Sequence, residues 1–429
     1  MRLDLVTEPG KVSHLTKRWE ASIMKPSAFA LGLFVGFAAC SASADTITDW
    51  NKTTHDVMRA ANVASNPASR ALAMVHVAMS DAVNGVQDRY ARYLPDAAAA
   101  PGASAEAAAA TAARQILIQL FPNQKALAEE AYAASLKAIP DGVAKSDGVA
   151  LGEKVAAAVQ ADRAGDGTNV PDSYRPLTTP GIWVPTTPPL FAEYARVKPW
   201  GLKSADQFRP GPPPALSSPL YARDYNETKT TGGTKSAART PEQTAAVRFW
   251  TQANIGPAWQ TAARELSAAK GLGLADNARL FALLNMGVAN TFIADWDAKF
   301  TYNFWRPVTA IRNGDMDGND ATERDPGWTP LNATPMHPEY PSQAAIISGV
   351  AVAILESVFG PDPQLPFTVT DTADPKLTRE FKSIRRLGEE HNDVRVWGGI
   401  HFRNSLEVGA DMGRKIAAHL VANALKPTR

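Results

Sequence analysis

From Ser69 to Val86 the apolar residues Ala71, Val75, Ala78, Met79, Ala82 and Val86 recur at intervals of three and four. That spacing lays an apolar face along a helix. The same texture returns along the chain. Helices are expected through 47–91 with a break at Asn66-Pro67, then at 106–120, 124–137 and 143–162. After Pro241 they resume at 241–250, 259–269, 274–298, 342–358, 376–392 and 401–424. Alanine dominates the early segments, and it is both the best helix former and small enough for close helix packing. No βαβ alternation and no glycine-rich phosphate loop of the Gly-Lys-Ser type interrupts the pattern. The fold class is therefore all-α, and 429 residues with 45% hydrophobic composition suffice for two packed helical bundles.

The first 44 residues stand apart. From Met24, read as the true start, a lysine precedes about a dozen apolar residues, and small residues ending Ala42-Ser43-Ala44 follow. This is the pattern of a secretory signal peptide cleaved before Asp45. The apolar run is too short to cross about 30 Å of hydrocarbon comfortably. Export to the periplasm or the medium follows, with lipid attachment at Cys40 the minor alternative. A single cysteine excludes an internal disulfide. Removing 1–44 takes away five Lys or Arg and three Asp or Glu, so the formal charge of +1 (44 minus 43) becomes 39 minus 40, or −1. A nearly neutral protein has no global electrostatic reason to seek nucleic acid or anionic lipid, and any anion affinity must be local.

The remainder divides by composition into 45–240 and 241–429. Within the first part, 164–240 holds eleven prolines between Pro171 and Pro214, with Phe191, Tyr194, Trp183 and Trp200 among them. Proline excludes regular helix there and the aromatics supply something to bury, so an ordered wrap over the domain surface is expected. It either serves structure alone or shapes a substrate entrance, and with the helical surface it suits a homodimer. His76 and Asp81, inside the 69–86 helix, read as packed or capped polar groups.

Three clusters after residue 290 carry the chemistry. In the first, Asp295 and Lys299 are four apart and pair on one helix face, with the lysine pointing into a cleft. Pro307 keeps Arg306 out of the α conformation and places it at a helix end or turn. In the second, His337-Pro338-Glu339-Tyr340-Pro341-Ser342-Gln343, Ser342 stands where a helix starts, either as an ordinary N-cap or beside amides that bind an oxyanion. In the third, Arg395 precedes Gly398-Gly399 and His401; the glycines let backbone approach a ligand and leave amides exposed. Lys299, Arg306 and Arg395 gathered together require a counter-anion, since two like charges 5 Å apart repel by about 3 kcal/mol at an effective dielectric of 20. A tetrahedral oxyanion meets that need.

These residues resemble the superfamily of vanadium-dependent haloperoxidases and type 2 phosphatidic acid phosphatases. Its anion site reads Lys, six residues, Arg-Pro; then Pro-Ser-Gly-His; then Arg, five residues, His. Here Lys299 and Arg306-Pro307 keep the first spacing, Arg395 and His401 the last, and Ser342 stands between them. The Ala-Met-Ser-Asp-Ala-Val-Asn run at 78–84 looks like the larger secreted bacterial haloperoxidase-like proteins. The resemblance implies a mainly helical fold in which Lys299, Arg306, Arg395, the Ser342 hydroxyl and a backbone amide nearby hold the oxygens of vanadate, or of phosphate in its place, with Gln343 and Gly399 beside them. It makes His401 the apical metal ligand of a peroxidase acting on hydrogen peroxide, halide and a small organic substrate. In a phosphomonoester hydrolase His401 becomes the nucleophile instead.

The middle motif departs from the pattern. Gln343-Ala344 replaces Gly-His, and alanine transfers no proton, whereas general acid–base catalysis is typically worth about 10² to 10⁴ in rate. His337 and Glu339 are the auxiliary candidates for that duty. Ser405 stands four after His401, where phosphatases often carry the aspartate that orients the histidine. The expectation is a haloperoxidase-like oxidoreductase altered at the proton-transfer step. A vanadium-independent repurposed enzyme or a phosphate-binding scaffold is the further alternative.

Overall fold

The computed structural model describes residues 45–428 except 96–99, 186–188, 253–254, 365 and 371–375. The signal-peptide and Cys40 expectations fall outside the described residues. The helices are α1 (Thr46–Ala60), α2 (Ser65–Gln87), α3 (Ala105–Leu120), α4 (Lys125–Lys137), α5 (Val143–Arg163), α6 (Pro219–Gly232), α7 (Pro241–Gln252), α8 (Ile255–Lys270), α9 (Leu274–Tyr302), α10 (Pro307–Arg312), α11 (Gln343–Phe359), α12 (Ile384–Trp397) and α13 (Arg403–Asn423). The periodicity of the sequence thus becomes an all-α architecture with one short hairpin.

The 29-residue α9 is the axis of the molecule, buried around most of its circumference from Ala275 to Lys299. A helix apolar on every side must be enclosed by others. On one side α2 packs against it, with α3 and α5 beyond; on another lie α11 and α13. One continuous core results, from Ile47 and Trp50 at one end of the chain to Ile416 and Leu420 at the other. The α11–α13 crossing depends on small residues. A methyl group at Gly413 would stand 2.2 Å from the Ile346 carbonyl oxygen, closer than any side chain tolerates.

Two expectations are corrected. Residues 376–392 do not form one helix: β1 (Phe367–Thr370) and β2 (Thr378–Phe381) pair antiparallel, and α12 begins only at Ile384 behind the Ser383 cap. Phe367 and Val369 alternate with exposed Thr368 and Thr370, a period of two that favours a strand. The Phe367 and Phe381 rings stack at 5.9 Å, and Arg379 is drawn to Glu390 of α12 at 2.6 Å. The proline-rich segment also contains a helix, α6, because Pro219 occupies its first turn, where no N–H is missed, and Ser218 caps it.

Elsewhere that segment is an ordered wrap anchored on α9. Asn290 holds Trp200 in both directions, accepting its amide at 2.8 Å and donating to its carbonyl at 2.7 Å. The buried Arg163 guanidinium lies 3.3 Å over the Trp200 ring and donates to the Lys198 carbonyl. In α2, Asp81 accepts the Tyr93 and Leu94 amides, while His76 Nε2 accepts from Asn51 at 3.0 Å. Both are structural.

Candidate oxyanion site

Three chain reversals bring the site together. α9 ends at Asn303, whose left-handed φ of 49° turns the chain so that Arg306 becomes the extended N-cap of α10, as Pro307 requires. The loop 337–341 returns to this end, with the Glu339 amide bonded to the Phe304 carbonyl, and leads into α11 through Ser342. α12 then delivers Arg395, and a tight turn at 398–401 delivers His401 just before α13. Gly399 belongs to that turn for steric reasons. Its φ is +76°, and a Cβ there would meet the Gly232 carbonyl oxygen at 2.5 Å.

His401 is buried and held on both ring nitrogens. An Arg306 Nη1 donor lies 3.2 Å from Nε2, and since a guanidinium only donates, Nε2 carries the lone pair. Nδ1 then bears the proton, donated to Glu339 Oε1 at 2.8 Å. The same carboxylate oxygen accepts the Phe402 amide at 2.9 Å. Burial, then Arg306 and Lys299, keep the imidazole pKa well below its ordinary value, so the ring stays neutral. Burial pushes Glu339 up to about 7, against the pull of Arg306 and the Phe402 amide.

Four of the five Arg306 N–H donors have protein partners, which leaves one on Nη2. Nε donates to the His337 carbonyl at 3.0 Å, Nη1 also to the Ile400 carbonyl at 2.7 Å, and Nη2 to His337 Nδ1 at 3.1 Å. The last bond makes His337 Nδ1 an acceptor and leaves the proton on Nε2, so the 3.3 Å approach of Nδ1 to the Pro338 carbonyl is not a hydrogen bond in this tautomer. His337 packs on Trp296 at 5.0 Å and is kept neutral by burial and by Arg306.

Other expected ligands are placed differently. Lys299 does not point into a cleft. Its ammonium donates to the carbonyls of Pro338 (2.9 Å), Glu339 (3.0 Å) and Pro341 (2.5 Å), fastening the loop that carries Glu339. Asp295, 3.7 Å from the ammonium, pairs with it through charge at a distance too long for a hydrogen bond. Nor do the paired glycines leave amides exposed: Gly398 and Gly399 donate to the Val394 and Val396 carbonyls at 2.9 Å. Ser342 is the N-cap residue of α11 by position, yet its hydroxyl makes no capping bond.

Ser342 Oγ, Gln343 Nε2 and Arg395 Nη2 are buried donors without a protein partner, and Glu339 Oε2 and both Asp295 carboxylate oxygens are buried acceptors without one. An orphaned buried donor costs about 1–3 kcal/mol, so the two that line one cavity ask for an acceptor. Gln343 and Arg395 line a cavity of about 340 Å³ together with His337, His401 and Ala344. Arg395 is steadied through Nε by the His391 carbonyl at 3.3 Å, and His391 by Ser348 at 2.8 Å. With Asp295 and Glu339 ionised, the three cations Lys299, Arg306 and Arg395 leave a net charge of +1 (3 minus 2). The residues fit a tetrahedral oxyanion: donors and positive charge surround a neutral imidazole nitrogen whose lone pair is already defined. Among the described residues no group of three or more His, Cys, Asp or Glu side chains gathers to hold a bare metal ion.

No spacing or motif pointed to α1 and α2, more than 200 residues away, which build the other side of this cavity through His55, Met58, Ala68 and Leu72. Conversely, no described residue of the wrap at 164–240 lines it.

The fold is a mostly helical bundle of the VCPO type. Residues 279–428, which carry all three clusters, match the family described as the VCPO second helical-bundle domain. Over 95 residues the chain is 30% identical to the vanadium chloroperoxidase of Curvularia inaequalis, a stretch covering 20% of this chain and only 15% of that relative's length. A bacterial vanadium-dependent iodoperoxidase structure superposes with a TM-score of 0.75 at 24% identity, covering 90% of this chain and 98% of its own. The holo form of a bacterial vanadium-dependent chloroperoxidase gives 0.64 at 18% identity, covering 88% and 91%. At these identities the structural likeness establishes the fold.

Proposed function

We propose that the protein is a vanadate-dependent haloperoxidase-like oxidoreductase, acting on hydrogen peroxide, halide and a small organic acceptor. The observation that carries the reading is the state of His401: Nδ1–H committed to Glu339, and Nε2 unprotonated and accepting from Arg306, in a cavity that Gln343 and Arg395 line with unpartnered donors. Arg306, Arg395 and Ser342 would hold the oxygens of vanadate, with Gln343 at the rim and His401 Nε2 as the ligand to the metal. The bound group would supply Lewis acidity toward peroxide. Lys299 acts at one remove, through its charge and by fastening the 338–341 loop. His337, whose protonated Nε2 is not used by Arg306, takes the donor role that Ala344 cannot fill.

Glu339 favours one second reading. A carboxylate on Nδ1 stabilises an imidazolium, which is what a histidine nucleophile of a phosphomonoester hydrolase needs. Calorimetric titration of orthovanadate, followed by bromination of a dye, separates the two. The peroxidase reading expects one-to-one binding and bromination only when peroxide, bromide and vanadate are all present. Hydrolysis of an activated aryl phosphate that disappears in His401→Ala, without bromination, would replace it with the phosphatase reading.

A further inference from the structure

The methionines of this chain fall into distinct environments. Met74, Met79, Met286 and Met412 are sealed in the core at 2% exposure or less, and Met316 is open to solvent at 56%. Met58 belongs to neither group. It is 7% exposed, yet it lines the cavity whose floor holds His401, Arg395 and Gln343. The exposed Arg59 and Asn62 line the same cavity where α1 ends, so Met58 stands between the floor and the mouth. No other described methionine lines this space, and no described Cys, Trp, Tyr or Lys does. Met58 is therefore the one sulfur, and the softest nucleophile, among the described residues of the lining.

A thioether exposed to a hypohalous acid is oxidised to the sulfoxide. With hypobromous acid, sulfur takes the bromine and hydroxide leaves; water then attacks sulfur, and bromide and two protons depart. In sum the sulfur gains one oxygen and loses two electrons, and the bromine gains them as bromide with release of one proton. The product is polar where methionine is apolar. Met58 packs with Ala71 and Leu72, and with the partly buried Val63 and Ala68, in a small cluster that joins α1 to α2. An oxygen introduced there is costly unless it finds a donor. His55, one turn earlier on the same helix face, also lines the cavity, and its buried Nε2 has no protein partner. A sulfoxide at position 58 thus has a ring nitrogen to turn toward, at the expense of the apolar α1–α2 contact.

We infer that Met58 is a modification site built into the wall of this cavity: hypohalous acid released at the floor oxidises its thioether to the sulfoxide, and the altered α1–α2 wall slows further turnover. The inference rests on the proposed function, which supplies the oxidant. Mass spectrometry of tryptic peptides tests it on the full chain, because cleavage after Lys52, Arg59, Arg312 and Arg324 leaves Met58 and Met316 each alone in a peptide. After turnover with orthovanadate, peroxide and bromide, the fraction of Met58 carrying one added oxygen should exceed that of Met316 at least threefold. Omitting vanadate or bromide should abolish the excess, and hypobromite added from outside should reverse the order in favour of exposed Met316. Met58→Leu, a nearly volume-conserving change, should keep at least twice as large a share of its own initial bromination rate after equal turnover. Dye bromination with Met58 oxidised no more than Met316 overturns the inference alone, as does the same Met58 excess under added hypobromite or an equal decline in the variant. Absence of bromination by the wild type overturns the proposed function and this inference with it.

Discussion

Glu339 Oε1 lies 2.8 Å from Nδ1 of His401 and also accepts the Phe402 amide, so one buried carboxylate sets both the tautomer of the ring and the backbone that carries it. Sixty-two residues separate the pair in sequence. Lys299 closes the arrangement from behind, donating to the carbonyls on either side of Glu339 and to that of Glu339 itself.

Glu339→Ala removes the acceptor for Nδ1–H and lets the ring turn or change tautomer. Orthovanadate affinity should fall about 10- to 100-fold, the usual effect of deleting a partner that orients a metal-bound histidine. Glu339→Gln keeps an acceptor oxygen but not the charge, and should retain most of the affinity. Calorimetry on both variants decides. Equal affinity in wild type and Glu339→Ala would mean that His401 does not bind through Nε2.

Arg306→Lys tests the guanidinium rather than its charge. Lysine carries three donors on one atom and cannot span the His337 carbonyl, the Ile400 carbonyl and two ring nitrogens, which lie on different sides of the fork. Stability should drop by about 1–3 kcal/mol for a stranded carbonyl, seen as a lower urea midpoint. Orthovanadate affinity should fall at least tenfold. A variant that denatures and binds as wild type does would remove Arg306 from the oxyanion site.

The cradle was legible where spacing and local sterics act. Pro307 alone was enough to predict the extended backbone at Arg306, and the four-residue step from Asp295 placed it beside Lys299. What the sequence withheld was direction. Whether Lys299 would face the cleft or the 338–341 carbonyls depends on where that loop returns, a contact about forty residues away that no periodicity encodes. The amides of Gly398 and Gly399 were likewise consumed by the end of α12, a consequence of how the last turn closes. Glu339 had its signal in plain view, since a carboxylate seldom sits among buried aromatics and prolines without a cation or imidazole partner. The α1–α2 wall had none, because His55 lies on a helix whose apolar stripe reads as ordinary core.

Lys299→Met should destabilise the fold more than any change at the cavity rim. Three carbonyls lose their donor, and Asp295, whose pKa burial has pushed up to about 7, loses the cation that favours its ionised form. Breaking a buried pair by removing one partner typically costs about 3–5 kcal/mol. Asp295→Asn/Lys299→Met together should recover part of that loss. Urea denaturation of the single and double variants at neutral pH is the measurement; identical losses would show that Asp295 takes up a proton once the lysine is gone and leaves no uncompensated charge.

His76 predicts a pH dependence of stability. Its pKa is lowered to about 3, first by burial and then by His55 and Arg264, whereas in the unfolded chain it titrates near 6.5. The folded state therefore binds fewer protons than the unfolded state between these values. The contribution is complete above pH 6.5 and is lost as pH falls toward 3, with a slope of up to about 1.4 kcal/mol per pH unit for one proton. Asp81 on the same helix acts oppositely: burial raises it from 3.8 to about 7, so its contribution is complete below 3.8 and is lost as pH rises through 7. His76→Gln removes the first effect and keeps the second. A glutamine oxygen also accepts from Asn51, which preserves the local bond. Between pH 6 and 4 the wild-type unfolding free energy should therefore fall more steeply than that of the variant, by close to one proton's slope. Parallel slopes would mean that the folded protein accommodates a protonated His76, and that the Asn51 bond, the stacking on Phe281 and the apolar wall around them do not hold the ring neutral.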